Sequence, residues 1–242
     1  MSRRTITAII PARLASTRLP NKVLLDINGK PMIQHVYESV KQTQGIDHVI
    51  VATDSQAVLD AVVGFDGYGV MTSADHTCGT DRIAEAAEYV DTDLILNVQA
   101  DEPMIKAKHL LPLIAIAQEE GFMVGTTVAP VANLQEFRDQ NVVKVVTRLD
   151  GSCLYFSRGD IPYRRANARD YSLAKRHIGL YCFDREVLSQ IVALPQSPLE
   201  DYEKLEQLRW LQHGYSIQSV EIEGDIISVD TEDDLDTVRK MI

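Results

Sequence analysis

Long apolar runs are missing from this chain: nothing in it approaches the roughly 18 to 20 consecutive apolar residues that a membrane span needs, so none is expected. Cysteine is scarce. Cys78, Cys153 and Cys182 stand apart without a C-x-x-C pair, which excludes a zinc site or disulfide framework encoded by spacing and fits a reducing cytoplasm. Basic residues are outnumbered, 24 against 35 acidic, and the formal net charge of −11 argues against nucleic acid or an anionic membrane as the main partner. A small anionic substrate stays open, because a few arginines or a bound divalent cation can reverse the field inside one cleft. Neither G-x-x-x-x-G-K-S/T nor G-x-G-x-x-G follows the first apolar segment, so any phosphate must be held another way. The opening "MSRRTITAIIPARLAS" is interrupted by Pro11 and Arg13 too early for a signal peptide and reads as a first strand.

What is present is an alternation. "TITAIIP", "HVIVATD", "GYGVMTS" and "DLILNVQAD" are apolar enough for strands buried on both faces. Between them "MIQHVYESVKQ", "SQAVLDAVVGF" and "GTDRIAEAAEYV" have helical periodicity, and "AKHLLPLIAIAQEE" follows the last strand. Strands and helices in this order imply βαβ units, a mostly parallel sheet and the α/β class. The second half is less regular. "FMVGTTVAPV", "NVVKVVTR", "SCLYFSR" and "RHIGLYCF" lie close together with few helices between them, which predicts hairpins or an extension of the sheet. "DREVLSQIVAL" and "LEDYEKLEQLRWLQHG" predict one helix each, then "SIQSVEI" a strand and "TEDDLDTVRKMI" a helix. With no repeat or linker, 242 residues read as one domain over 1–242.

Ligands of open parallel sheets bind beyond the carboxyl ends of the strands. After the first strand, "PARLASTRLPNKVL" offers Arg13, Arg18 and Lys22 with Ser16 and Thr17 between them. Such a loop either folds over phosphates or is an ordinary solvated surface. "DLILNVQADEP" delivers Asp101 and Glu102 at a strand tip, where an acid serves chemistry or merely caps a loop.

The segments "IIPARLASTRLPNKVLLDINGKPMI", "ATDS", "TSADHTCGTDRI", "LNVQADEPMI", "LYFSR", "HIGLYCF", "LEQLRWL" and "VDTEDDL", in this order, resemble the 3-deoxy-manno-octulosonate (Kdo) cytidylyltransferase family. The resemblance implies a sugar nucleotidyltransferase-type three-layer α/β sandwich with a dimerisation extension in the C-terminal half. It also implies a cytoplasmic homodimer that uses Mg²⁺ to join CMP from CTP to an acidic eight-carbon sugar for lipopolysaccharide, releasing pyrophosphate. Position by position, it gives Arg13, Lys22, Asp101 and Asp230 catalytic roles, the two aspartates as metal ligands. Mg²⁺ prefers one or two carboxylates together with phosphates and water. Ala12, Arg13, Ser16, Arg18, Lys22, His76, Thr80 and Asp81 fall at nucleotide positions. Gln99, Arg158, His177, Tyr181, Glu206 and Gln207 fall at sugar positions. Taken alone, His177 and Tyr181 read as structural or core, Glu206 and Gln207 as a solvated helix face, and Asp230 as an acid at a helix start.

Three positions depart from the family pattern. Ala100 stands for a usual glycine, Cys78 for a usual serine and Asn21 for a usual glycine. The first two border the expected pocket and leave the choice between Kdo and an analogue such as 8-amino-3,8-dideoxy-Kdo open. Other readings are a cytidylyltransferase for a different acceptor, or a binding protein that has lost catalysis.

Overall fold

The structure, a computed structural model, describes residues 3–14, 19–76, 78–167, 170–224 and 226–242. The chain forms two compact units, Met1–Leu111 with Gly224–Ile242, and Pro112–Glu223. Strand β1 (Ile6–Ala12) is buried along almost its whole length because both its faces are apolar. An Asn28-Gly29 turn, both residues at positive φ, joins the two-residue strands β2 (Asp26–Ile27) and β3 (Lys30–Pro31). Helix α1 (Met32–Lys41) then buries Met32, Ile33, Val36, Tyr37 and Val40, the stripe that its periodicity predicts.

β4 (His48–Thr53), α2 (Gln56–Gly64), β5 (Gly69–Met71), α3 (Gly79–Ala87) and β6 (Leu94–Asn97) complete the alternation, with α4 (Ala107–Ala117) after it. The strands of the first unit lie in the order β6-β1-β4-β5, and all three pairings are parallel. Every strand therefore points the same way, and the loops after β1 and β6 emerge side by side. β6 is shorter than its apolar sequence suggests. After the Val98 N–H donates to the Ile9 carbonyl, the chain turns, and the Glu102 N–H bonds back to the Gln99 carbonyl. Asp101 thus sits in a turn past the strand end.

In the second unit, β7 (Val124–Pro130) is followed by α5 (Leu134–Arg138), β8 (Lys144–Thr147), β9 (Cys153–Ser157) and the long β10 (Lys175–Asp184). β10 pairs antiparallel with β7 and β8, and β8 with β9, as the closely spaced strand segments predicted. α6 (Arg185–Val192) is capped by the Asp184 carboxylate, which accepts from the Glu186 and Val187 N–H groups. The single helix predicted over "LEDYEKLEQLRWLQHG" is instead two, α7 (Pro198–Glu203) and α8 (Gln207–Gln212). They are broken at Lys204, whose φ of 54° is left-handed. β11 (Ile217–Glu221) adds parallel to β7.

The chain then returns to the first unit with α9 (Glu232–Met241). Leu235 and Val238 of this helix pack with Val229, Leu19, Ile27 and Met32 in one buried cluster. Thr231 and Asp234 cap it reciprocally: the Asp234 N–H donates to the Thr231 hydroxyl oxygen at 3.2 Å, and the Thr231 N–H donates to the Asp234 carboxylate at 2.9 Å. No helix among the described residues is long and apolar enough to cross a membrane. The architecture is α/β, as the alternation implied. Replacing Thr231 with alanine removes half of the capping box and is expected to cost about 1 kcal/mol in urea unfolding.

Candidate active site

In the first unit, the acids predicted at 101 and 230 meet. Lys22 opens a short 3-10 turn behind Asn21, whose φ of 56° and ψ of 25° are the left-handed values that glycine favours and asparagine tolerates. Its ammonium donates to Asp101 Oδ2 at 2.6 Å and to Asp230 Oδ1 at 3.0 Å, so both carboxylates touch one nitrogen. The lysine side chain is 12 % exposed, Asp101 29 % and Asp230 41 %. Burial alone would lower the Lys22 pKa. Asp101, and then Asp230, outweigh that and hold it above the ordinary lysine value. The main chain fixes the same meeting, for the Val229 N–H donates to the Asp101 carbonyl at 2.9 Å and brings the next residue, Asp230, alongside. The Asp230 N–H in turn bonds the capping carboxylate of Asp234.

The other described positions matched to nucleotide end or follow β1, or lie at and before the start of α3 in the same unit. Ala12 ends β1 and is buried, and Arg13 follows it on the surface. Ser16 and Arg18 lie outside the described residues. Thr80, buried, and Asp81 occupy the first turn of α3, and a side chain on Gly79 would meet the ring of Pro11 at 3.6 Å. That helix start, beside the end of β1, directs N–H groups and a partial positive charge to where an anion can sit. Cys78 caps it, its sulfur accepting the Asp81 N–H at 3.4 Å. His76 pairs with Glu85, which also accepts the Ser73 N–H and pins this loop; the Glu85 pKa is lowered, chiefly by that N–H.

One ion pair between a buried arginine and a partly exposed aspartate is not foreshadowed by any motif. Arg82 donates to Asp54 at 2.6 Å and to the Thr72 hydroxyl, tying α3 to the segment after β4. Both residues lie in the quoted segments "ATDS" and "TSADHTCGTDRI", which was the only signal of their role.

Gln99 and Ala100 lie in the turn after β6, Ala100 buried. Beyond them, Glu102 is buried, and its pKa is pushed up to about 8, first by burial and then by the charge of Asp101; a Ser228 hydrogen bond only partly opposes this. It is a neutral acid at neutral pH.

Of the sugar-matched residues, five belong to the second unit. A register shift in β10 sets His177 opposite Val128 but Tyr181 opposite Thr126, so four steps along β10 meet two along β7. In an even strand those two side chains would stand about 13 Å apart; here their rings are 5.3 Å apart. Phe156, Phe183 and Trp210 complete the aromatic cluster. Burial pushes the His177 pKa down to about 4, so the ring is neutral. Its Nε2 lies 2.9 Å from the Thr126 hydroxyl, which itself donates to the Leu180 carbonyl. Burial, and then Glu206, raise the Tyr181 pKa well above the ordinary phenol value.

At the start of α8, Gln207 is buried and Glu206 is held by Arg209, three residues on, at 3.0 Å. The Arg158 guanidinium is bonded to main-chain carbonyls: Nε to Glu203 at 2.8 Å, Nη1 to Gln140 at 3.0 Å and Nη2 to Lys204 at 3.4 Å.

Chemically, the first unit offers two carboxylates converging on a point already suited to a small cation, with basic groups and a helix start nearby. Among the described residues no group of three or more His, Cys, Asp and Glu side chains gathers to cage a metal. Two carboxylates are nonetheless the donor set that Mg²⁺ uses when phosphates and water supply the rest.

Glu102 makes a test of this environment. In the fold it keeps its proton to about pH 8, whereas unfolded it ionises near its ordinary value of 4.5. Between those values the folded state binds more protons, so stability falls as pH rises through the window. Glu102→Gln removes that dependence. In metal-free urea titrations, its stability relative to the parent is expected to increase steadily from near pH 5 to near pH 8.

Comparisons with known proteins identify the family. A family model described as Cytidylyltransferase matches residues 7–222. The 3-deoxy-manno-octulosonate cytidylyltransferase of Syntrophotalea carbinolica is 48 % identical over 239 residues, covering 96 % of each chain. That of Geobacter sulfurreducens is 45 % identical over 98 % of this chain and 99 % of its own. A solved structure of CMP:2-keto-3-deoxy-manno-octonic acid synthetase complexed with CTP superposes with a TM-score of 0.93 at 40 % identity, covering 98 % of both chains. With that likeness running the length of the chain and the paired acids in place, the protein is a nucleotidyltransferase and belongs to the 3-deoxy-manno-octulosonate cytidylyltransferase family.

Proposed function

We propose that the protein transfers CMP from CTP to the anomeric hydroxyl of 3-deoxy-manno-octulosonate and releases pyrophosphate. The main support within the fold is the convergence of Asp101, Asp230 and Lys22 on one point; outside it, relatives named for this activity match over nearly the whole length.

The anomeric oxygen forms a bond to the α-phosphorus while the bond from that phosphorus to the oxygen of the β-phosphate breaks. The hydroxyl proton leaves to solvent and pyrophosphate departs. Because a sugar carboxylate and a triphosphate repel one another, neutralising charge is the central task. Arg13 and Lys22 supply positive charge after β1, and the start of α3 supplies N–H groups. Asp101 and Asp230 would hold Mg²⁺, which when bound supplies charge neutralisation and makes the attacking hydroxyl more acidic. Gln99 would face the sugar. In the second unit, neutral His177, Tyr181, Glu206 and Gln207 would form its hydroxyl contacts, within a frame to which Arg158 contributes.

The natural acceptor is Kdo or its 8-amino analogue, and the product feeds lipopolysaccharide in the cytoplasm. The working form is a homodimer; exposed Leu149, Leu154, Leu173 and Tyr202 in the second unit offer apolar area for self-association.

Pyrophosphate release with CTP and Mg²⁺ is the test, run against Kdo, its 8-amino analogue and unrelated acid sugars. Turnover is expected with the first two only. Asp101→Asn and Asp230→Asn are each expected to lower kcat at least about a hundredfold in proteins that remain folded and still bind CTP. A parent protein inert toward every acid sugar would overturn the assignment.

A further inference from the structure

Lys144 is the most deeply buried lysine of the second unit, with none of its surface exposed. Burying an ammonium is expensive unless every proton finds a partner. Here all three do: Nζ donates to the carbonyls of Asp139 at 2.8 Å, Val142 at 2.6 Å and Arg158 at 2.9 Å. The side chain therefore binds the segment before β8 to the end of β9.

Glu203 makes the complementary set of contacts. Its carboxylate accepts from the Ser157 hydroxyl at 2.7 Å, the Arg158 N–H at 2.9 Å and the Tyr155 hydroxyl at 3.4 Å. The Arg158 guanidinium, donating to the carbonyls of Gln140, Glu203 and Lys204, closes the ring of contacts. Three strands of chain, 139–144, 155–158 and 203–204, are thereby fixed to one another.

Several of the residues matched to the sugar are joined to this frame. The His177 N–H donates at 2.8 Å to the carbonyl of Val143, the neighbour of Lys144. Glu206 and Gln207 follow directly on the Lys204 break, which Arg158 holds. The chain breaks at left-handed Lys204, and Arg158 bonds the Glu203 and Lys204 carbonyls that an unbroken helix would use for its own N–H groups.

We propose that Lys144 and Glu203 are positioning residues for the acceptor sugar: they touch no substrate, but set the places of Arg158, His177, Glu206 and Gln207. This rests on the second unit binding the acid sugar, as argued under Proposed function.

The test separates the two substrates. Lys144→Met keeps the length of the side chain and removes its charge and donors, Glu203→Gln keeps the shape and removes the charge, and Glu203→Asp keeps the charge. In Lys144→Met and Glu203→Gln, the KM for the sugar is expected to rise about tenfold or more while the KM for CTP stays within about twofold. Glu203→Asp is expected to recover part of the loss. Quenching of Trp210 fluorescence by the sugar alone should show the same ranking without turnover. Should Lys144→Met fail to fold, the two Glu203 variants decide the matter. Folded variants with an unchanged sugar KM, or an equal rise for CTP, would overturn the positioning roles while leaving the activity itself standing. A parent protein that neither binds nor uses the sugar would instead remove the reading on which they rest.

Discussion

Two carboxylates placed together repel, and the first unit is organised around the cation that reconciles them. At contact distance the interaction between unit charges is several kcal/mol at the effective dielectric of a protein surface, enough to drive side chains apart. Lys22 removes that repulsion by touching both acids. The rest of the unit makes the touch unavoidable. Parallel pairing brings the loops after β1 and β6 to one edge, a main-chain hydrogen bond joins Val229 to Asp101, and the apolar side of α9 seals the arrangement against Leu19, Ile27 and Met32. The acidic start of α9 also suits the positive end of its own dipole, so Asp230 and its neighbours favour the fold as well as the site.

The second unit solves a different problem, that of holding polar groups inside apolar surroundings. His177 is kept neutral and aimed by Thr126, while the ammonium of Lys144 is surrounded by carbonyls. A buried ammonium with all three protons bonded specifies one arrangement, since any shift leaves a donor without an acceptor. That rigidity suits the sugar-binding role proposed for this unit, because selectivity for a sugar depends on hydroxyls finding partners at fixed places.

Much of this was legible in the residues. Apolar segments and periodic helices gave the α/β class, α1 buried the stripe its spacing announced, and the resemblance carried by "LNVQADEPMI" and "VDTEDDL" pointed to the two acids that the structure brings together. What stayed hidden came from contacts between residues far apart in sequence. Leu205, Leu208 and Leu211 fit one continuous helix, and nothing local announces the left-handed Lys204 where Arg158 bonds the main chain. Lys144 looks like any strand lysine until the chain folds three carbonyls around it. The shift in β10 that gathers His177 and Tyr181 is visible only against the register of β7.

Lys22 and Asp230 stand 208 residues apart, and the whole second unit is made between them. On the ribosome, therefore, the parallel strands β1, β4 and β6 can assemble early, but the lysine has only one of its two acids until α9 emerges. A partly synthesised chain thus has a sheet without its paired acids, and the candidate centre is completed only when the last segment joins it.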